Sequence, residues 1–307
     1  MLEIKDVSVK FAAGNTVQAV EHVSLTVRDG EHVAIVGETG SGKSILLLAV
    51  LGLLPESAKV TGEVLFDGTD LRKLPAKELN QIRGSRISYV PQGSGNGFNP
   101  LLKVGYQISE PMRVHRKTPK KEAWEKSVEL MRRFYIGKEE EAAKQYPHTF
   151  SGGMKQRALI AMGISADAGT ILADEPTKGL DEERIAEVVK CFEQLEDKTI
   201  LCVTHDLNFA KEISQRICVM YSSNLVEYAP AEEILKRPLH PYTQDMWMAM
   251  PENGLKFRAG FSESHDNYEK MGCRYAGRCS ECFEKCKEMP PVFDVDGHKV
   301  RCWKYAP

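Results

Sequence analysis

A segment near the amino terminus has the residue types and the spacing that bind phosphate. It fits the pattern G-x-x-x-x-G-K-[ST] and reads Gly37-Glu38-Thr39-Gly40-Ser41-Gly42-Lys43-Ser44. Its glycines allow backbone N–H groups to close around phosphate oxygens, and a helix that begins here favours negative charge. We expect Lys43 to reach the β- and γ-phosphates and the Ser44 hydroxyl to coordinate Mg²⁺. The segment, called the phosphate loop below, predicts a site for a nucleoside triphosphate.

Two adjacent carboxylates, Asp174 and Glu175, follow the apolar run 170–173. Neighbouring residues of a strand point to opposite sides, so the two acids can serve different partners. Asp174 is placed to hold Mg²⁺ through water, and Glu175 to act as general base on an attacking water. The alternative is an acidic pair that caps the next helix, and the phosphate loop upstream favours the catalytic interpretation.

A second anion seat is predicted where Ser151-Gly152-Gly153 opens a helix, because unhindered backbone N–H groups and the helix dipole meet there. Two anion-binding sites on one chain can be explained by a dimer. In such a dimer the second site of each subunit closes over the nucleotide that is bound by the other subunit. Ser-Gly-Gly by itself is a weak signal, since any flexible turn can carry it.

The elements that position these motifs follow from the hydrophobic pattern. Strands are predicted over 2–36 and 60–92, with a hairpin turn at Asp67-Gly68, and a helix follows the phosphate loop over 44–54. Buried strands at 170–173 and 199–203, with a helix over 182–196 between them, predict a parallel sheet with right-handed crossovers.

The region 107–143 is charge-rich and predicted to be helical. Its apolar residues at helical spacing predict the core-facing stripe of one amphipathic helix, formed by Trp124, Val128, Met131 and Tyr135. A partner-binding face is the alternative for this stripe, and core packing is the interpretation we favour.

Length and composition exclude several classes of protein. At roughly 150 residues per domain, 307 residues predict one large domain with an appendage, or two domains. Lys plus Arg is 41 against 43 for Asp plus Glu, which is not the basic balance of a protein that holds nucleic acid by neutralising phosphates. The longest apolar run, 45–54, is about half of what a bilayer crossing needs, and the amino terminus lacks a signal-peptide core. We therefore expect a soluble chain that is not exported.

Eight cysteines are unevenly distributed. Three lie singly in apolar stretches and predict ordinary core packing: Cys191, Cys202 and Cys218. The other five crowd the carboxy terminus: Cys273, Cys279, Cys282, Cys286 and Cys302. In a cytosolic chain such a cluster favours metal binding over disulfides. Thiolates at this density suit a cubane iron–sulfur cluster or a tetrahedral zinc site, and reduced thiols without a metal are the third alternative.

Taken in order, the motifs resemble those of the nucleotide-binding subunit of an ABC transporter over about residues 1–250. The matching segments are the phosphate loop, Tyr89-Val90-Pro91-Gln92, Phe150-Ser151-Gly152-Gly153-Met154, Asp174-Glu175, Gly179-Leu180-Asp181 and Thr204-His205-Asp206. Because both Glu175 and His205 are present, the resemblance implies a catalytically competent site.

The resemblance also implies individual roles. Gln92 would contact Mg²⁺ or the attacking water and would sense the membrane partner, and His205 would hold the γ-phosphate and the water. Phe11 would stack on adenine, with a core position at a strand end as its alternative. The residues assigned to the nucleotide are Phe11, Gly37, Glu38, Thr39, Gly40, Ser41, Gly42, Lys43, Ser44, Ser151, Gly152, Gly153 and Asp181. Those assigned to Mg²⁺ are Ser44, Gln92 and Asp174.

A second resemblance covers about residues 237–305. The segments His240-Pro241-Tyr242-Thr243-Gln244 and Gly272-Cys273-Arg274-Tyr275-Ala276-Gly277-Arg278-Cys279 resemble the carboxy-terminal extension of dipeptide, oligopeptide and nickel importers. This resemblance implies a four-iron iron–sulfur cluster, with zinc as the alternative, on Cys273, Cys279, Cys286 and Cys302.

The implied fold is α/β, with a P-loop NTPase (RecA-like) core and its parallel sheet. To this core the resemblance adds an amino-terminal antiparallel β subdomain, an inserted helical subdomain at about 93–165 and a small cysteine-rich carboxy-terminal module. The implied boundaries are a nucleotide-binding domain over 1–236 and an extension over 237–307.

The implied function is an ATPase subunit that energises an importer of peptides or nickel-type small solutes. Its implied partners are a second ATP-binding subunit, identical or related, two membrane permeases and, indirectly, a solute-binding protein, with no nucleic acid. The expected location is the cytoplasmic face of a prokaryotic membrane. The alternatives are a soluble ABC ATPase that acts on ribosomes or DNA, and an ATPase regulated by metal at the cysteine cluster.

Overall fold

The structure is a computed structural model that describes residues 1–13, 15–93, 97–256 and 272–307. The chain forms two compact units. The first unit comprises Met1–Val27, Val33–Arg72 and Ser214–Pro307. The second unit comprises Arg28–His32 and Lys73–Ile213. No helix within the described ranges is long and apolar enough to cross a membrane.

The first unit contains an antiparallel sheet built by the amino-terminal strands. Its strands are β1 (Leu2–Ala13), β2 (Asn15–Val27), β4 (Ala58–Phe66) and β5 (Thr69–Asp70), in the order β2-β1-β4-β5. Asp67 and Gly68 join the last two strands, and both have positive φ, as a tight two-residue hairpin turn requires. The predicted hairpin is therefore confirmed.

The same unit contains a mixed sheet with the order β3-β9-β10-β12-β11. These strands are β3 (His32–Val36, of which His32 belongs to the second unit), β9 (Arg216–Tyr221), β10 (Asn224–Pro230), β11 (Phe293–Val295) and β12 (His298–Val300). β3 and β9 pair in parallel, and the remaining pairs are antiparallel. The helices of this unit are α1 (Lys43–Leu51), α9 (Ala231–Lys236) and α10 (Pro241–Met248).

The second unit is built around three parallel strands in the order β6-β7-β8. They are β6 (Ile87–Val90), β7 (Thr170–Asp174) and β8 (Thr199–Thr204). The helices of this unit are α2 (Ala76–Ile82), α3 (Val104–His115), α4 (Lys120–Arg133), α5 (Glu139–Ala142), α6 (Gly152–Ile164), α7 (Glu182–Glu193) and α8 (Leu207–Ile213). The apolar runs at β7 and β8 are buried along their whole length, as predicted for central parallel strands.

The apolar stripe predicted for one helix is correct over α4 and wrong at its last member. Met131 is buried in the core of the second unit, and Trp124 and Val128 pack against that core. Tyr135 lies beyond the end of the helix, has a left-handed φ of 54° and is 53% exposed. Phe134 is buried instead, because the chain leaves the helical path before the periodicity reaches Tyr135. The three single cysteines are fully buried, which confirms their core assignment.

Candidate nucleotide-binding site

The phosphate loop lies between β3 and α1 in the first unit, the strand–loop–helix order that the sequence predicts. Lys43 is the first residue of α1 and is 5% exposed. Its Nζ donates to the carbonyl oxygens of Gly37 at 2.7 Å and Glu38 at 3.0 Å. The ammonium group therefore lies inside the loop, at the position where phosphate oxygens would bind.

Two glycines of this loop touch the backbone of neighbouring strands. A Cβ at Gly42, where φ is +99°, would lie 2.1 Å from the carbonyl oxygen of Ala19 in β2. A Cβ at Gly37 would lie 2.1 Å from the carbonyl oxygen of Met220 in β9. Only glycine can occupy these positions without moving a strand, so the two sheets of the first unit together fix the path of the loop.

The exposed face of the loop is formed by Glu38, Thr39 and Gly40, whereas Ser41 is buried and Ser44 is partly buried. Ser41 N–H donates to the carbonyl of Glu38 at 3.1 Å, which closes the turn at the tip. The tip of the loop therefore faces solvent, where a ligand from solution can reach it.

In the second unit, Asp174 ends β7 and Glu175 follows it with a left-handed φ of 46°. Both carboxylates are buried. The Tyr89 hydroxyl of β6 donates to Oδ2 of Asp174 at 3.0 Å, and burial together with the charge of Asp174 raises the pKa of Tyr89. Tyr89 therefore remains a protonated donor that orients the carboxylate predicted to hold Mg²⁺.

Glu175 is hydrogen-bonded to His205, which follows the end of β8. Nδ1 of His205 lies 2.5 Å from Oε2 of Glu175, and the backbone N–H of His205 donates to the same oxygen at 3.3 Å. The imidazole is half-exposed while the carboxylate is buried, so the ring lies on the solvent side of the acid. A buried carboxylate oriented by an accessible imidazole is suited to polarise a water molecule.

The Ser-Gly-Gly turn begins α6, as predicted. Oγ of Ser151 accepts from the N–H of Met154 at 3.2 Å, and Asp181 caps α7 by accepting from the N–H of Arg184 at 3.1 Å. A Cβ at Gly153 would lie 3.1 Å from Cδ of Arg184. Arg184 thus lies between the two caps and brings the turn and Asp181 together on one side of the second unit.

Two further predicted residues, Gln92 and Phe11, lie on a strand or soon after one. Gln92 is exposed, two residues past the end of β6. Phe11 is partly buried on β1, opposite Val17 of β2 and Ala58 of β4. Their contacts with magnesium, water or adenine stay predictions.

All five carboxy-terminal cysteines lie within the described ranges. Burial and the neighbouring thiols Cys286, Cys302 and Cys279 raise the pKa of Cys273 to about 12, and burial also raises the pKa of Cys279 and Cys302. No group of three or more His, Cys, Asp or Glu side chains in the described part of the chain is arranged to hold a metal ion. The predicted zinc or iron–sulfur ligand set on Cys273, Cys279, Cys286 and Cys302 is therefore not supported.

Two segments of the chain match models of known protein families. Residues 20–178 match the family model described as ABC transporter, which spans more than half of the chain. The chain belongs to the ABC transporter family. Residues 226–286 of this ABC protein match a second model, described as oligopeptide/dipeptide transporter, C-terminal region.

Relatives of this ABC protein agree with both matches. The dipeptide transport ATP-binding protein DppD of Bacillus subtilis is 37% identical over 99% of this chain and 94% of its own length. The oligopeptide transport ATP-binding protein OppD of Salmonella typhimurium is 33% identical over 99% of this chain and 93% of its own length. A dimeric, post-hydrolysis structure of the ATP-binding cassette MJ0796 bound to ADP and Pi has a TM-score of 0.68 and 28% identity, covering 75% of this chain and 99% of that one. This ABC protein therefore has the ABC ATPase fold and is an ATPase.

Sequence reasoning missed two residues of this ABC ATPase that orient others, Tyr89 and Arg184. Tyr89 lies inside the matched segment that ends at Gln92, and its position on a strand beside β7 was the available signal. Arg184 lies in the first turn of α7, and nothing in its spacing indicates that it meets the Ser-Gly-Gly turn.

Proposed function

We propose that this chain is the ATP-hydrolysing subunit of a peptide importer. The proposal depends on one observation. The buried Glu175 directly follows the strand that ends in Asp174, and its carboxylate is hydrogen-bonded to the ring of His205. The relatives named for dipeptide and oligopeptide transport favour peptides as the cargo. Nickel, the other solute implied by the resemblance, gains no support from them.

The reaction is an in-line attack of water on the γ-phosphate of ATP, and it depends mostly on positioning and on neutralising charge. The Lys43 ammonium and the N–H groups of the phosphate loop would stabilise the phosphate oxygens. Glu175 would accept a proton from the attacking water, and His205 would hold Glu175 and that water in place.

A magnesium ion fits the oxygen donors predicted for it, because Mg²⁺ prefers carboxylate, hydroxyl and amide oxygens and keeps several waters. Asp174 offers a buried carboxylate that Tyr89 already orients. Ser44, Gln92 and Asp174 would hold the ion, which would neutralise charge on the phosphates.

A second ATP-binding subunit completes the proposal. Ser151, Gly152, Gly153 and Asp181 would contact the nucleotide bound by the other subunit. The dimeric state of the similar cassette supports this arrangement. ATP-driven closure of the pair, identical or related, would act on two membrane permeases at the cytoplasmic face of a prokaryotic membrane, with a solute-binding protein delivering the peptide.

The alternative of a soluble ATPase acting on ribosomes or DNA lacks a supporting feature. The match of residues 226–286 with an oligopeptide and dipeptide transporter region favours the importer. Affinity purification of the full chain from its native cells separates the two, because the importer predicts co-purifying permeases and the alternative predicts ribosomes or nucleic acid.

A four-iron cluster on the carboxy-terminal cysteines, and regulation of the ATPase through it, stay predictions without support from the described side chains. Iron analysis of protein purified without oxygen tests them. An iron-free, fully active ATPase would contradict both.

The deciding experiment on the nucleotide site is Glu175→Gln. The variant should keep ATP binding and accumulate as a closed dimer, while hydrolysis falls by roughly 10²- to 10⁴-fold, the usual contribution of a general base. Glu193→Gln, an exposed change on α7, is the matched control and should leave turnover unchanged. Wild-type turnover in Glu175→Gln would remove Glu175 from the role of base.

A further inference from the structure

The carboxy-terminal extension contacts the phosphate loop. Nη1 of Arg278 donates to both carboxylate oxygens of Glu38, at 2.9 and 3.2 Å. The two residues are 240 positions apart in sequence and belong to the same compact unit. A residue next to Cys279 is therefore bound to the second residue of the loop that is proposed to hold ATP.

The Arg278 side chain is largely buried and is packed against aromatic rings. Its guanidinium lies 5.7 Å from the ring centroid of Tyr221 and 5.5 Å from that of Tyr275. These two rings pack edge to face at 5.1 Å, and the Tyr275 hydroxyl donates to Asp245 of α10. The Arg278 side chain is 15% exposed, whereas that of Glu38 is 44% exposed. The aromatic rings thus fix the cation, and the cation fixes the more exposed carboxylate.

The backbone of Glu38 is held by the same extension. Its N–H donates to the hydroxyl of Tyr242 at 3.1 Å, and Tyr242 is buried in the first turn of α10. The carbonyl of Glu38 accepts from Nζ of Lys43 at 3.0 Å. One residue of the loop is therefore connected on one side to the lysine proposed for the phosphates and on the other side to the extension.

The charge of Glu38 makes this contact important for ligand binding. A carboxylate at the tip of a loop that receives a polyphosphate repels the ligand, and a cation in contact with it cancels most of that repulsion. Without Arg278 the loop would carry an uncompensated negative charge and would lose a side-chain anchor.

We propose that Arg278 is a positioning residue for nucleotide binding, through which the carboxy-terminal extension sets the affinity of the phosphate loop for ATP. Arg278 holds Glu38 away from the ligand and neutralises it. This inference rests on the proposed nucleotide site, and it assigns the extension a role within the ATPase itself.

The test measures ATP affinity by fluorescence titration, and the KM and kcat of hydrolysis, on the full chain. Arg278→Ala should raise the Kd and the KM for ATP by about three- to tenfold, the range expected for a partly buried ion pair with charged hydrogen bonds. Its kcat at saturating ATP should stay unchanged, because Glu175 and His205 are not altered. A purely structural role would instead lower kcat together with the fraction of folded protein.

A double variant tests the proposed charge neutralisation more directly than Arg278→Ala alone. Glu38→Gln removes the charge that Arg278 neutralises, so the double variant Arg278→Ala with Glu38→Gln should regain most of the lost affinity. Lys304→Ala is the matched control, since Lys304 pairs with Glu281 in the same extension, and it should bind ATP like the wild type. Should Arg278→Ala fold poorly, Arg278→Lys, which keeps the charge, should bind more tightly than Arg278→Gln.

Two outcomes overturn the inference. One is an Arg278→Ala variant whose Kd lies within a factor of about two of the wild type, well short of the effect expected of a charged pair. The other is a double variant as weak as Arg278→Ala alone. Lys43→Ala separates this failure from failure of the nucleotide site: if Lys43→Ala loses ATP and Arg278→Ala does not, only the role of Arg278 is refuted.

Discussion

Replacing His205 by alanine tests the pairing of Glu175 and His205 most directly. The change removes the hydrogen bond from Nδ1 at 2.5 Å and keeps the backbone N–H bond at 3.3 Å, so Glu175 loses one of two donors from this residue. Because the acceptor is a carboxylate, Nδ1 must carry the proton in this contact. The variant therefore removes the contribution of the ring to orienting the proposed base, together with the predicted contacts of the ring with the water and the γ-phosphate.

The size of the effect follows from the kind of bond. A hydrogen bond to a charged group contributes about 1.5 to 3 kcal/mol. Each 1.36 kcal/mol is tenfold in rate, so kcat should fall by about 10- to 150-fold if the bond is fully used in the transition state. The KM for ATP should change less than kcat, because the phosphate loop keeps all of its residues and only the predicted contact of the ring with the γ-phosphate is lost.

A phosphate-release assay on purified protein measures this change. His148→Ala is the matched control, since His148 is exposed on the surface and stacks on Tyr146, and it should keep the wild-type kcat. The losses in His205→Ala and Glu175→Gln should also fail to add in the double variant, as for residues that act as a unit. An unchanged kcat in His205→Ala, or additive losses, would refute the pairing as the basis of catalysis.

Two further variants test the geometry of each unit. Gly42→Ala should abolish ATP binding and lower the melting temperature more than Gly68→Ala, because both sites have positive φ but only the Cβ at Gly42 meets a backbone atom, at 2.1 Å. Equal melting temperatures would show that the steric contact is unimportant. Tyr89→Phe removes the donor that orients Asp174 and should raise the Mg²⁺ concentration for half-maximal hydrolysis by about tenfold, as for other outer-shell partners of metal ligands. A magnesium titration identical to that of the wild type would contradict this.

The sequence predicted the elements that depend on local pattern. β7 and β8 contain the uninterrupted apolar runs 171–173 and 200–203, and such runs indicate buried parallel strands because every side chain of the run must be covered. The phosphate loop could be placed because glycine, lysine and serine occur at fixed positions between a strand and a helix. Tyr135 was misassigned because a left-handed residue ended the periodicity, which composition does not signal.

Contacts between distant residues could not be predicted in this way. His205 and Glu175 are 30 positions apart and meet only because β7 and β8 are neighbours with parallel register. The cysteine spacing of the carboxy terminus indicated a metal, yet spacing does not determine where thiols point or how deeply they are buried. Tertiary packing decides both.

Strand β12 lies along the outer edge of β10, and this pairing bears on how the chain can be shortened. Glu227 of β10 is fully buried, and its oxygens accept from the N–H groups of Leu239 and His240 and face the ring of His298 at 3.3 Å. A chain cut after α9 would lose all three of these neighbours at once. The truncated chain would keep the Glu227 carboxylate in its interior without these hydrogen-bond partners. It would also expose the edge of β10, which could then pair with another molecule. Aggregation, rather than a smaller working enzyme, is what such a truncation should yield.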